Sequence, residues 1–198
     1  PAFVAARTVK VNPDAPQLPL RLRALQAGKC VLVPTPRLRG GFFLLDPARI
    51  APAHWRAAAS IAGFARHGVP LTLDELPSID LMVLGAVAVA PDGARVGKGE
   101  GYAELEYAVL RTRGRLAATT LLCTTIHDIQ IVPAIPVEPF DVPVDIVATP
   151  TRVLHTHTPY PRPPGVLWEY LAPERLAAMP VLAELRARQG EAGGASGA

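Results

Sequence analysis

Apolar residues come in short runs set off by proline and glycine. RTVKV at 7–11 alternates apolar and polar positions and predicts a strand, and KCVLVP at 29–34 is a compact β-branched run closed by proline. DLMVLGAVAVA at 80–90 is continuously apolar, the pattern of a strand covered on both faces in a parallel sheet. LAATTLLC at 116–123, IQIV at 129–132 and VDIVAT at 144–149 are further predicted strands. Helical patterns fall between them. LPLRLRALQAG at 18–28 carries arginines on one side and leucines on the other, then stops at Gly28. PAHWRAAASIAGFARHG at 52–68 keeps alanines and large apolar residues at helical spacing until Gly68 and Pro70. YAELEYAVLRTRG at 102–114 puts Tyr102, Leu105 and Val109 on one face and ends at Gly114; ERLAAMPVLAELRARQ at 174–189 is the last helical segment, with Pro180 near its start or at a break. Strands alternating with helices of this length predict a three-layer α/β/α sandwich around a mostly parallel sheet.

Composition narrows the function. The 198 residues suit one domain over 1–189, followed by a small, glycine-rich tail at 190–198 that is expected to be flexible. Apolar residues make up 49%, enough for a core, and the 22 prolines bracket apolar runs rather than forming a tract. The formal charge of +3 suits an anionic small ligand. There is neither a Lys/Arg block nor a basic patch interleaved with aromatics, so nucleic acid is not an expected partner. Cys30 and Cys123 sit in apolar runs without metal-ligand spacing and are expected as buried free thiols. With no leader-like segment and no apolar run of membrane-spanning length, the expectation is a soluble cytoplasmic protein, a monomer or weak homo-oligomer with no membrane partner.

The chemistry concentrates in RVGKGEGYAELE at 95–106. Placed after the strand at 80–90 and before the helix at 102–114, Gly97, Gly99 and Gly101 let backbone N–H groups converge on a phosphate, and the helix adds its own free N–H groups. Arg95 and Lys98 supply positive charge. In open α/β sheets ligands sit beyond the carboxyl ends of the strands, where this loop falls. The pattern is neither G-x-x-x-x-G-K-[ST] nor G-x-G-x-x-G, and a plain flexible turn is the other reading. Glu100, Glu104 and Glu106 would repel phosphate unless a cation such as Mg²⁺ stands between. Glu104, and Glu106 still more, also read simply as helix-stabilising acids.

The ordered set of segments resembles the 5-formyltetrahydrofolate cyclo-ligase family, also called methenyltetrahydrofolate synthetase, and within it a divergent branch. The family's G-x-R-L-G-x-G-x-G-Y-Y-D reads GARVGKGEGYAE at 93–104, and its D-x-x-V-D segment falls in EPFDVPVDIVATPTR at 138–152. VKVNPDAPQLPLRLRALQAGK at 9–29, VPTPRLRGGFFLLDP at 33–47, TTIHDIQIV at 124–132 and PRPPGVLWEYL at 161–171 extend the likeness over nearly the whole chain. The resemblance implies a fold like that of NagB, RpiA and the CoA transferases. It also implies ATP and Mg²⁺ as cofactors and a reduced folate as substrate, 5-formyltetrahydrofolate being closed to 5,10-methenyltetrahydrofolate with release of ADP and phosphate. By resemblance, Arg95, Gly97, Lys98, Gly99 and Gly101 fall at the ATP-binding loop. Tyr102 falls at the junction of nucleotide and folate, so that Lys98 and Tyr102 are the implied catalytic pair. Glu104 and Asp141 fall at the magnesium-linked acids, and Gln17 near a folate-contacting glutamate. His127 belongs to a segment typical of the branch and is a candidate for the folate pocket. The chain departs from the pattern at Ala103 for the second tyrosine, Glu104 for aspartate, Gln17 for glutamate, and Glu100 where lysine or glycine is usual. These departures leave a second reading, a diverged nucleotide- or folate-binding protein without turnover.

Other residues invite weaker readings. His127 and Asp128 are adjacent, and on a strand they would point to opposite faces rather than form a dyad. His155 and His157 have no third metal ligand nearby, and a surface loop is expected there. Arg37, Arg39 and Arg49 read as a solvated basic face, and Trp55 and Trp168 as packing anchors.

Overall fold

The computed structural model describes residues 2–194. The strands are β1 Thr8–Val11, β2 Cys30–Pro34, β3 Phe42–Leu45, β4 Val69–Leu71, β5 Leu81–Val83, β6 Ala88–Val89, β7 Arg95–Val96, β8 Leu121–Thr125, β9 Ile146–Ala148 and β10 Val153–His155. The helices are α1 Ala2–Ala5, α2 Leu18–Gln26, α3 Trp55–Ala58, α4 Phe64–His67, α5 Tyr102–Thr112, α6 Pro173–Ala177 and α7 Pro180–Gly194. Eight strands form one sheet in the order β10-β9-β8-β5-β1-β2-β3-β4, while β6 and β7 form a separate two-stranded ribbon. The inner pairs β2–β1, β1–β5, β5–β8 and β8–β9 are parallel; β3, β4 and β10 add antiparallel edges.

Alternation along the inner strands builds two cores. Val9, Val11, Val31, Val33, Leu81 and Val83 point to one face and pack with Leu25, Ala58 and Phe64 from α2, α3 and α4. Leu32, Met82 and Leu122 point to the other and pack with Tyr107 and Leu110 of α5 and Leu182 and Leu185 of α7. This is the expected three-layer sandwich. No helix among the described residues is long and apolar enough to cross a membrane.

Three predicted elements differ. The run at 80–90 is not one strand: it breaks after Val83 and resumes as β6, because Gly85 lends its N–H to Asn12 Oδ1 (2.9 Å) and its carbonyl to Arg95 (2.9 Å) instead of continuing the ladder. The helix at 52–68 is divided into short turns, with Ser60 capping a new turn through Gly63 N (3.1 Å). A Cβ at Gly63 would lie 1.9 Å from the Ala57 carbonyl oxygen, so the close approach at this break needs glycine. Residues 128–130 form a 3₁₀ turn rather than a strand, leaving only a bridge from Ile131 to Val89. Pro180 stands at a break, one of its two expected places: it opens α7, separate from α6, and α7 runs to Gly194. Cys30 and Cys123 are free but only half-buried rather than buried.

Chain direction places the site. From β1 the chain turns through α2 to β2 on one side, and from β4 it crosses back to β5 on the other side of β1. The crevice beyond the carboxyl ends of β1 and β5 is therefore the topological switch point, the usual ligand position in open α/β sheets. Residues 12–17 leave it from β1, and the ribbon with its glycine loop leaves it from β5.

Candidate functional site

The loop at 97–101 joins β7 to α5. Gly99 (φ 82°) and Gly101 (φ 66°) adopt the left-handed conformation that other residues resist, and Gly101 is the residue from which α5 starts. Among the described residues, no backbone N–H of residues 97–104 donates a hydrogen bond within the protein. The first turn of a helix has such free donors by necessity, and here the loop before it adds more.

The basic residues have different situations. Arg95 is buried and its guanidinium is committed to the protein: it donates to the Gly85 carbonyl (2.9 Å) and the Val142 carbonyl (3.4 Å) and forms an ion pair with Glu104. It ties the end of β5, the glycine loop and the segment carrying Asp141 into one piece. Lys98 is exposed and reaches across the crevice to Asp14 (2.5 Å). Asp14 lies in a turn held from behind by the buried Arg21, which donates to the Asn12 carbonyl and to the Asp14 carbonyl (3.1 Å). Tyr102 is half-buried beneath the Arg175 guanidinium, 5.3 Å from the ring centroid.

The two expected metal-linked acids are neighbours. Asp141 is half-buried, accepts from the Glu138 N–H (2.8 Å), and is held above the usual carboxylate range, by burial first and also by the negative charge of Glu104. Among the described residues there is no group of three or more His, Cys, Asp or Glu side chains placed to hold a metal by themselves. Magnesium at a nucleotide asks for less, one or two carboxylates with phosphate oxygens and water completing the shell, so Glu104 and Asp141 fit a nucleotide-borne ion.

Gln17 is buried at the same edge, its Oε1 3.5 Å from the Thr125 hydroxyl. His127 follows β8 on that edge but is exposed, and its Nδ1 accepts from Ile129 N (3.4 Å) to cap the 3₁₀ turn. No hydrogen bond among the described residues joins it to Gln17 or to the loop. Asp128 turns away to the Thr149 and Thr151 hydroxyls, so the adjacent pair is no dyad. The deepest polar feature of the site is one that sequence reasoning missed: Lys10 of β1 and Glu106 of α5 form a fully buried ion pair, and Asn12 Nδ2 donates to the same Glu106 oxygen (2.6 Å). The simple reading of Glu106 is a helix-stabilising acid, but its place four residues after Tyr102 and three before Val109 puts it on the inward face. A concavity of about 370 Å³ around Asp80, Arg115 and Thr120 lies at the opposite, amino-end edge and is remote from this chemistry.

Residues 1–150 match the 5-formyltetrahydrofolate cyclo-ligase family. The methenyltetrahydrofolate synthase domain-containing proteins of Mus musculus and Homo sapiens are 44% and 42% identical to this chain over 97% and 96% of its length. The chain spans about half the length of these curated relatives, 53% and 51%. A 5-formyltetrahydrofolate cyclo-ligase of Mycolicibacterium smegmatis is 33% identical over 82 residues, 41% of this chain and 39% of that protein. The NMR structure of Aquifex aeolicus 5,10-methenyltetrahydrofolate synthetase superposes with a TM-score of 0.52, covering 81% of this chain and 77% of that one; at 19% identity, what the two share is the fold. The order of the motifs and the sheet that carries them agree with that match, and the chain belongs to the 5-formyltetrahydrofolate cyclo-ligase family.

Proposed function

We propose that this chain is an ATP- and Mg²⁺-dependent cyclo-ligase that converts 5-formyltetrahydrofolate to 5,10-methenyltetrahydrofolate, releasing ADP and phosphate. The observation that carries the reading is the run of unengaged N–H groups at 97–104 over the switch-point crevice. A polyphosphate there gains backbone hydrogen bonds and the positive end of α5 without displacing any protein partner from those amides. Lys98 is the mobile cation, and it must exchange Asp14 for a phosphate oxygen. Glu104 and Asp141 would hold the ion, which supplies charge neutralisation along the phosphates. Gln17, Tyr102 and His127 would line the folate side, Gln17 offering an amide edge from a buried position.

A second reading, nucleotide or folate binding without turnover, is favoured by one specific contact. The buried Arg95 holds the half-buried Glu104 in an ion pair, which opposes the movement a small octahedral ion demands of its ligands. Growth of the methenyl absorbance from 5-formyltetrahydrofolate, dependent on ATP and abolished by chelation of Mg²⁺, tests the first reading. No growth at saturating ATP, Mg²⁺ and folate, with calorimetric binding of ATP or folate retained, leaves the second. Silence in both experiments contradicts both readings.

A further inference from the structure

Alongside the first turns of α5 the surface opens into a cavity of about 120 Å³. Gly101, Glu104, Leu105 and Ala108 line one wall; their spacing places them on a single stripe of α5, distinct from the Tyr102–Glu106–Val109 stripe that faces the sheet. The other wall comes from far along the chain: Phe140, Val166, Tyr170 and Arg175. The cavity thus begins at the last glycine of the loop and runs away from it into an apolar, aromatic space.

Two features of that space point to a planar ring. Phe140 and Tyr170 face each other with centroids 5.5 Å apart and planes at 60°, yet both stay substantially in water, at 39% and 53% exposure. Large aromatic surfaces left wet at the mouth of a cavity are suited to stacking on a flat ligand. Arg175 closes the loop end: its guanidinium donates to the Glu100 carbonyl and lies against the Tyr102 ring, bringing positive charge where the cavity meets the phosphate-facing amides. Phe140 also directly precedes Asp141, so one turn fixes both a stacking ring and a proposed ion ligand.

We propose that this cavity takes the base of the nucleotide, with Phe140 and Tyr170 as its stacking surfaces and Arg175 as the cation on its phosphate side. The segment that completes it, around 166–175, lies beyond the stretch of the chain that matches the family. The proposal rests on the nucleotide reading above and adds where the base goes and which residues choose it.

The test compares ATP with inorganic tripolyphosphate, each with Mg²⁺, by calorimetry. Wild type binds ATP more tightly, by about tenfold or more, since stacking on an aromatic side chain contributes about that much. Phe140→Ala and Tyr170→Ala each remove about tenfold from ATP affinity and leave tripolyphosphate affinity unchanged, which also reports that the variants are folded. Tyr170→Phe keeps the preference. Equal affinity of wild type for the two ligands, or alanine variants that weaken both equally or neither, would overturn the base subsite while leaving the phosphate loop standing. Binding of neither ligand by wild type overturns the nucleotide reading, and this subsite with it.

Discussion

Lys10 and Glu106 pair in the interior of the sandwich, with side-chain exposures of 0% and 3%. Lys10 is on the α5-facing side of β1, the one charge between Val9 and Val11, which face the other layer. Burial pulls the Lys10 ammonium down and pushes the Glu106 carboxyl up, and each charge opposes the shift of the other. Asn12 joins the pair and passes the connection on to Gly85, so the floor of the crevice is a single hydrogen-bonded unit spanning β1, β5 and α5.

Breaking that unit on one side is expected to be costly. Glu106→Leu leaves a buried ammonium without a partner, and a loss of about 3–5 kcal/mol in urea unfolding follows. The double variant Lys10→Met, Glu106→Leu removes both charges and is expected to recover most of that loss. A double variant as unstable as the single one would show that the pair does more than neutralise itself.

The Lys98–Asp14 bridge behaves differently, because both partners are in water, at 68% and 36% exposure. Lys98→Ala should change stability by less than about 1 kcal/mol, as exposed pairs do. Its effect should appear in ATP affinity, which falls. Asp14→Asn frees the lysine and is expected to tighten ATP binding. A collapse of the melting temperature in Lys98→Ala, with ATP affinity intact, would make the residue structural.

Cys123 supplies a pH dependence. Its thiol is pushed up from 9.0 to about 12, by burial first and then by the negative charge of Asp145. At pH 8 its thiolate is about a thousandfold scarcer than that of a free cysteine, so native protein should resist thiol labelling there and label on unfolding. A raised folded-state pKa gives stability that is fully present below pH 9 and is lost as the pH climbs towards 12. Wild type should therefore lose stability between pH 9 and 11 more steeply than Cys123→Ala. Equal slopes, or prompt labelling of the native thiol, would contradict this.

Much of the fold was legible because it depends on periodicity. The β-branched run at 30–34 and the helix α5 appear where the pattern puts them, and the alternation of strands and helices specifies the layers. What was missed depends on partners distant in sequence. The apolar run at 80–90 looks unbroken until Asn12 and Arg95 are brought to Gly85, and the helical pattern at 52–68 gives no weight to the crowding at Gly63. The glycine loop announced itself by composition. Arg175 did not: its contact with the loop spans 75 positions and follows no local rule. Glu106 left a usable trace, since its helical register with Tyr102 and Val109 already placed it inside.

The central claim is that the amides of the glycine loop and the first turn of α5 receive a polyphosphate. Titrating ¹⁵N-labelled protein with ATP and Mg²⁺ reads those groups individually. The account predicts large, saturable shifts at Gly97, Gly99, Gly101 and Ala103, far exceeding those around Asp80 at the opposite edge. Resonances at 97–104 that stay in place at millimolar ATP would contradict it.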